Sequence, residues 1–114
     1  MKILRLKKNR EFKRVFEKGG YCADGRLTLY ILKNGLNDNY YGVSAGKKIG
    51  NSVERNRVKR LIREAIRRNA HLTAPGFDIV VLARPGIKGE PLGSIERSFA
   101  RLLKRGRAYA EDNT

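Results

Sequence analysis

The sequence predicts an α+β fold in which one β-sheet is backed by helices. Three segments show the alternating or continuously apolar pattern of β-strands, and three others repeat apolar residues at the spacing of a helix. In chain order these elements read α-β-β-α-β-α, and 114 residues suffice for one domain with one modest core. We therefore expect a single two-layer α/β sandwich over residues 1–114.

The first half of the chain supplies one helix and two strands. Asn9 is expected to cap a helix over residues 9–18, and an alternating apolar pattern predicts a strand over residues 26–33. The turn-forming residues 34–39 predict a hairpin loop to a second strand over residues 40–46. One face of that strand carries mostly tiny side chains, which indicates that another group approaches its backbone closely.

A long central helix is predicted from Ser52 to Asn69. Asn51 and Glu54 have the spacing of a capping box, which stabilises a helix start by reciprocal hydrogen bonds. One side of this helix is an apolar stripe, which should pack on the core. The stripe consists of Val58, Leu61, Ile62, Ala65 and Ile66.

The rest of the chain predicts one buried strand and one further helix. Residues 77–84 are apolar on both faces, as expected for a strand inside a sheet. Residues 91–105 repeat apolar side chains at helical spacing, and Pro91 suits the first turn. The polar tail from about residue 108 is expected to fray.

The charge balance predicts a polyanionic partner. Lys and Arg number 26 against 11 Asp and Glu, which gives a net charge of +15. Residues 1–57 carry 14 basic and 5 acidic groups, and residues 58–114 carry 12 and 6, so both halves are basic. Nucleic-acid phosphates are the usual partners of such a surface, because binding releases condensed counterions. An anionic membrane surface is the competing interpretation.

The cysteine content and the apolar runs predict a cytoplasmic protein. The single Cys22 cannot form an internal disulfide, which fits a reducing compartment. No apolar run approaches the roughly 18 residues of a membrane span, and charge interrupts the first residues too early for a signal peptide.

The face of the central helix opposite the apolar stripe is cationic. An ideal helix places one amide and four cations on a continuous arc there, namely Asn56, Lys59, Arg60, Arg63 and Arg67. Arg55 lies at the margin of the stripe and Arg57 on the far flank, while Lys47 and Lys48 lie just upstream. Arginine forks suit phosphate oxygens, and few acidic residues are available to pair with them inside the helix. The alternative is a solvated helix that uses its arginines for solubility.

Aromatic side chains form a second candidate binding feature. Phe12 and Phe16 lie on one side of the first helix, and Tyr30 lies on the less apolar face of its strand. Rings beside cations suit single-stranded nucleic acid, whose bases stack on them. At helical spacing the two phenylalanines are equally compatible with an ordinary hydrophobic core.

The sequence offers no catalytic or metal-binding motif. His71 is the only histidine, and with Cys22 it makes neither a metal-ligand set nor a recognisable nucleophile–base pair. The carboxylates are scattered, and residues 46–50 lack the spacing of a phosphate-binding P-loop. We therefore expect no catalytic residue and no bound metal in this chain.

Residues 47–64 closely resemble the signature of the bacterial ribonuclease P protein subunit. The signature is named for an Arg-Asn-Arg tripeptide, which is Arg55-Asn56-Arg57 in this sequence. Residues 6–19 resemble the opening helix of that family and residues 78–84 its late strand. The resemblance covers about residues 4–105.

The resemblance implies a binding role beside a ribozyme. Members of the family assist a catalytic RNA subunit whose Mg²⁺-dependent hydrolysis removes the 5′ leader of precursor tRNA, so the holoenzyme is an endoribonuclease and Mg²⁺ is bound mainly by the RNA. The family's signature helix contacts the catalytic RNA, which assigns that role to Arg55, Asn56, Lys59, Arg60 and Arg63, with Arg57, Lys47 and Lys48 in support. Its central cleft receives the leader, which assigns Phe12, Phe16 and Tyr30 to leader binding.

The resemblance also implies a left-handed βαβ crossover, against the general right-handed rule, and a monomer that binds one RNA. Two other functions stay open. One is a ribosomal or RNA-chaperone protein of the same fold superfamily, and the other is a nuclease that acts without RNA.

Overall fold

The computed structural model describes residues 3–110, and it confirms the α+β class. Its elements are β1 (Leu4–Arg5), α1 (Asn9–Lys18), β2 (Gly20–Ala23), β3 (Leu27–Lys33), β4 (Tyr40–Ser44), α2 (Ser52–Asn69), β5 (Phe77–Ala83) and α3 (Leu92–Arg105). The six predicted elements are present. The sequence prediction missed β1 and β2, because segments of two and four residues are too short to show a periodicity.

The five strands form one sheet in the order β1-β4-β5-β3-β2. β5 pairs antiparallel with β3 and parallel with β4, so it separates the two strands that precede it. The prediction of a hairpin at residues 34–39 is therefore wrong: this segment connects strands that are not neighbours. The physical reason is the apolar character of β5 on both faces, which favours a central position over an edge.

β4, α2 and β5 form a βαβ crossover between adjacent parallel strands. This unit fixes α2 beside the carboxyl end of β4. The left-handed sense of the crossover stays a prediction from the resemblance.

The main hydrophobic core lies between one face of the sheet and the helices α2 and α3. Four residues of the predicted α2 stripe are buried in it, and Leu61 is partly buried at its edge. α3 contributes Ile95, Phe99, Leu102 and Leu103, each at most 1% exposed. The apolar stripe therefore attaches the middle of α2, residues 58–66, to the core.

The opposite face of the sheet is covered in part by α1. Val15 is fully buried there against Leu6 and Val80, and the ring of Phe12 lies on Gly42. A Cβ atom at Gly42 would come within 2.6 Å of that ring. The close approach predicted for the small-residue face is thus made by Phe12 itself. Because α1 lies on this second face, the two-layer description is incomplete.

The helix starts are fixed by side-chain hydrogen bonds. The Asn51 side chain accepts from the backbone N–H of Glu54 at 2.9 Å, and the Glu54 carboxylate accepts from the N–H of Asn51 at 3.0 Å, as predicted. Asn9 is not a cap but the first residue of α1. The carboxylate of Glu11 accepts from the N–H groups of Lys7 and Lys8 instead.

The end of the described chain is ordered by contacts. Ala108 is fully buried, Tyr109 pairs with Thr73 in an antiparallel bridge, and the Lys104 ammonium lies 4.6 Å from the Tyr109 ring centroid. Fraying from residue 108 is therefore wrong for residues 108–110, and residues 111–114 lie outside the described part. Within residues 3–110, no helix combines the length and apolar character that a membrane crossing requires.

The junction of α1 and β2 predicts a strong difference between two adjacent glycines. A Cβ atom at Gly19 would lie 2.7 Å from the carbonyl oxygen of Val15 and 2.8 Å from that of Ile31, whereas one at Gly20 would meet nothing within 4 Å. We expect Gly19→Ala to lower the free energy of unfolding by about 1–3 kcal/mol through overpacking. The matched control Gly20→Ala should change it by less than about 1 kcal/mol. Urea unfolding of both variants measures this, and equal losses would contradict it.

Candidate nucleic-acid interface

The outer face of α2 is available to a ligand. Five of the predicted interface residues on this helix are exposed, namely Asn56, Arg57, Arg60, Arg63 and Arg67. Lys47 and Lys48, in the turn before the helix, are exposed as well, while Arg55 and Lys59 are partly buried. The helix therefore carries its cations on the side that the core leaves free.

Three of these cations form what we call the free cationic face of α2: Lys59, Arg60 and Arg63. None of them has a carboxylate within 4.0 Å among residues 3–110. Arg60 and Arg63 are exposed and Lys59 is partly so, and with no carboxylate beside them their charge is available to a polyanion.

The neighbouring cations of α2 are already paired. Arg67 donates two hydrogen bonds to Glu64, from Nε at 2.9 Å and from Nη2 at 2.5 Å. The hydrogen bond from Arg67 lowers the pKa of Glu64 below its ordinary value, and the same pair raises the pKa of Arg67. Arg68 lies 3.2 Å from Glu96 on the flank that faces α3. These two arginines are therefore weaker candidates for phosphate binding than the free cationic face.

Arg55 has a structural contact of its own. Its guanidinium donates to the backbone carbonyl of Gly50 at 2.9 Å and to the Ser52 hydroxyl at 3.4 Å. This contact fastens the turn that carries Lys47 and Lys48 to the start of α2. Arg55 thus positions the upstream lysines relative to the helix, whatever else it binds.

The cations of α2 border two different cavities. Arg57 and Arg60 line one of about 630 Å³ whose far wall is the turn containing Ile87 and Lys88. Arg63 and Arg67 line another of about 310 Å³ that also contains Phe12. The cationic arc of α2 therefore borders one cavity on each side, and the cavity lined by Arg63 and Arg67 reaches the sheet face that carries α1.

The predicted aromatic residues occupy that same sheet face. The rings of Phe16 and Tyr30 meet edge to face with centroids 4.8 Å apart, and Phe16 is 37% exposed. Phe12 is partly buried on Gly42, so it is partly a core residue, as the alternative interpretation of the sequence had it. The structure thus brings all three predicted rings to one side of the sheet, with Phe16 the more accessible of the two phenylalanines.

Beside α1, part of this sheet face is not covered by a helix. Leu82 projects from the same face as Val80 because side chains two residues apart share a face, and it is partly exposed. Arg84 follows it, exposed, and its guanidinium donates to the hydroxyl of Thr28 on this face at 3.4 Å. We call this trough between α1 and the sheet the cleft.

Three residues of this surface were missed at the sequence level. Tyr21 faces Tyr30 from β2, Arg5 lines the cavity shared by Phe12 and Arg63, and Arg84 borders the cleft. Tyr21 and Arg5 belong to the two strands too short to predict. Arg84 had a usable signal, because it is a charged residue that directly follows the apolar residues 79–83.

The polar residues within residues 3–110 form no cluster of the kind that holds a metal ion. No three His, Cys, Asp or Glu side chains lie together in that range. The Cys22 thiol is partly buried and lies 3.3 Å from the carbonyl oxygen of Leu102. Burial raises the pKa of this thiol, which disfavours the nucleophilic thiolate.

Comparisons with known proteins agree on one family. The model of the family described as Ribonuclease P matches residues 1–107. The ribonuclease P protein component of Brevibacillus brevis is 45% identical over 108 residues, covering 94% of this chain and 86% of that protein. That of Natranaerobius thermophilus is also 45% identical, covering 92% of this chain and 91% of its own.

Two solved structures show the same fold. The Staphylococcus aureus RNase P protein superposes with a TM-score of 0.82 at 33% identity, covering 96% of this chain and all of that chain. The Thermotoga maritima RNase P protein superposes with a TM-score of 0.81 at 30% identity, covering 89% of this chain and 96% of that one.

The Glu64–Arg67 pair predicts a gain of polyanion binding on mutation. Glu64→Gln removes the carboxylate that occupies Arg67, so one more cation becomes available beside the free cationic face. We expect affinity for a structured RNA to rise about threefold, with a steeper salt dependence. Glu17→Gln is the matched control, because it removes an equal charge from an exposed pair with Lys13 on α1. Filter binding at several salt concentrations measures both, and equal gains would show that net charge alone is responsible.

Proposed function

The chain belongs to the ribonuclease P protein family, and from that membership we propose how it acts as the protein subunit of a ribonucleoprotein that matures tRNA. In this proposal α2 holds the catalytic RNA subunit and the cleft holds the single-stranded 5′ leader of precursor tRNA. The RNA subunit performs the endonucleolytic hydrolysis, and the protein binds and positions the substrate.

The observation that carries the proposal is the free cationic face of α2. Lys59, Arg60 and Arg63 lack carboxylate partners among residues 3–110, while the opposite side of the helix is buried in the core. A helix fixed along one side presents its charges in a constant geometry. Such preorganisation favours one folded RNA over an arbitrary polyanion, because the binding free energy is not spent on ordering the helix.

The cleft has the properties that an unpaired strand requires. Aromatic rings offer stacking surfaces to bases of any sequence, and the cations Arg5, Arg63 and Arg84 at its borders offer partners to phosphates. The cavity that contains both Phe12 and Arg63 links the cleft to the cationic side of α2. One precursor tRNA held by the RNA subunit can therefore extend its leader into the cleft without leaving the protein surface.

Mg²⁺ belongs to the RNA subunit in this proposal. No group of three His, Cys, Asp or Glu side chains lies together among residues 3–110, so nothing in this range supports an all-protein cage for Mg²⁺. Magnesium prefers oxygen ligands in octahedral geometry and retains several waters, which RNA phosphates supply.

The family membership favours this function over the ribosomal or RNA-chaperone alternative. One assay distinguishes the proposed function from that of a nuclease that acts without RNA. The assay is 5′-leader removal at low Mg²⁺, with catalytic RNA alone, protein alone and the two combined. We expect cleavage only where catalytic RNA is present, and faster cleavage with the protein. Cleavage by the RNA-free protein, or no acceleration, would contradict the proposal.

Phe16 provides a sharper test of the cleft. Phe16→Ala removes an exposed ring that contacts Tyr30, and stacking on one ring contributes about 1–3 kcal/mol. We expect the holoenzyme to lose about five- to tenfold in affinity for precursor tRNA and none for mature tRNA. Leu36→Ala, an exposed apolar residue outside the cleft, is the control. An equal loss for both tRNA forms would contradict the assignment.

A further inference from the structure

Tyr21 is an exposed aromatic residue that was not among the predicted binding residues. It is 72% exposed, a high value for a side chain with so large an apolar surface. It lies on β2, the outermost strand at one end of the sheet. Its neighbour Cys22 points to the other face and packs on the main core, so β2 is held in place without the Tyr21 ring.

The strand register places Tyr21 in line with the predicted leader-binding residues. Tyr21 is directly opposite Tyr30, which is opposite Val80, which in turn is opposite Gly42. Directly opposed residues project from the same face of a sheet. This line therefore crosses four strands from Gly42, under the ring of Phe12, to Tyr21, a distance of about 14 Å at the usual strand spacing.

The rings at the β2 end of this line are in contact. Tyr30 meets Phe16 edge to face on one side, and it meets Tyr21 on the other with centroids 5.6 Å apart and an interplanar angle of 33°. Phe16, Tyr30 and Tyr21 thus form one aromatic row. Accessibility rises along it from Tyr30, which is partly buried, to Tyr21, whose ring is mostly free.

Three cations lie at the edge of the sheet formed by β2. Lys33, Arg105 and Arg107 line a cavity of about 460 Å³ at the β2 edge, together with Tyr21. All three are exposed, and none has a carboxylate within 4.0 Å among residues 3–110. Cys22, Ile31 and Phe77 of the main core also line this cavity, so its cations lie on the α3 face of the sheet and the Tyr21 ring on the other. A strand stacked on Tyr21 therefore reaches these cations only where it passes round the β2 edge.

We infer that Tyr21 is an additional base-stacking position, which extends the cleft by about one nucleotide at its β2 end. This inference rests on the proposed leader binding and deepens it. β2 is the last strand at one end of the sheet and packs on α3. α2 packs on β4, which lies toward the other end. Tyr21 therefore contacts only a leader long enough to cross the sheet, and it makes affinity depend on leader length.

The experiment compares precursor tRNAs with leaders of one to about eight nucleotides, bound by holoenzymes reconstituted with catalytic RNA. For Tyr21→Ala we expect unchanged affinity with the shortest leaders and about a fivefold loss with the longest. Tyr21→Phe keeps the ring and should retain the affinity for long leaders. Leu36→Ala controls for the loss of an exposed apolar side chain, and thermal unfolding of each protein controls for folding.

The outcomes separate this inference from the function on which it rests. If Phe16→Ala weakens leader binding but Tyr21→Ala does not, the stacking position at Tyr21 is overturned and the cleft stands. If Phe16→Ala has no effect at any leader length, the cleft itself fails. A Tyr21→Ala loss that is equal for all leader lengths and for mature tRNA overturns the inference, as does a Tyr21→Phe variant as weak as Tyr21→Ala.

Discussion

The structure depends on the attachment of α2 to the sheet by one side only. Val58, Ile62, Ala65 and Ile66 remove that side from water, and burying each large aliphatic side chain contributes on the order of 1.5–3 kcal/mol. This apolar contact must outweigh the repulsion among the cations on the other side, since few carboxylates offset them. Glu64 and Glu96 neutralise the flank, where Arg67 and Arg68 lie, and leave Lys59, Arg60 and Arg63 free.

The position of β5 brings the cations of α2 next to the sheet face that carries α1. Because β5 lies between β4 and β3, α2 returns beside β4, and its cations come close to the face of the sheet that carries α1. Arg63 and Phe12 then share one cavity although they are 51 residues apart in the sequence. A hairpin between β3 and β4, as the loop composition suggests, would place the apolar β5 at an edge. Burial of β5 on both faces therefore determines where the candidate RNA and leader surfaces meet.

The sequence predicted what periodicity and capping control. The bounds of α2, its capping box and most of its buried stripe follow from residues within one or two turns of each other. It could not predict the sheet order, which depends on competition among strands, or the two short strands. β1 pairs only with the distant β4, and β2 pairs with the next strand β3 but has too few residues to show a periodicity. The role of Tyr21 could not be predicted for the same reason. Its partner Tyr30 is nine residues away, and only the pairing of β2 with β3 brings the two rings together. The helical wheel likewise placed Arg67 with the free cations, because it does not show that Glu64 occupies its guanidinium.

The most direct measurement of the role of α2 is the salt dependence of its affinity for the catalytic RNA. Arg60→Ala combined with Arg63→Ala should lower the affinity more than tenfold and reduce the slope of log K against log salt by about two. Arg68→Ala combined with Arg97→Ala removes the same charge from α2 and α3 outside the free cationic face. This double variant should reduce the affinity and the salt slope much less. Equal losses in the two double variants would show that net charge, and not the free face of one anchored helix, holds the RNA.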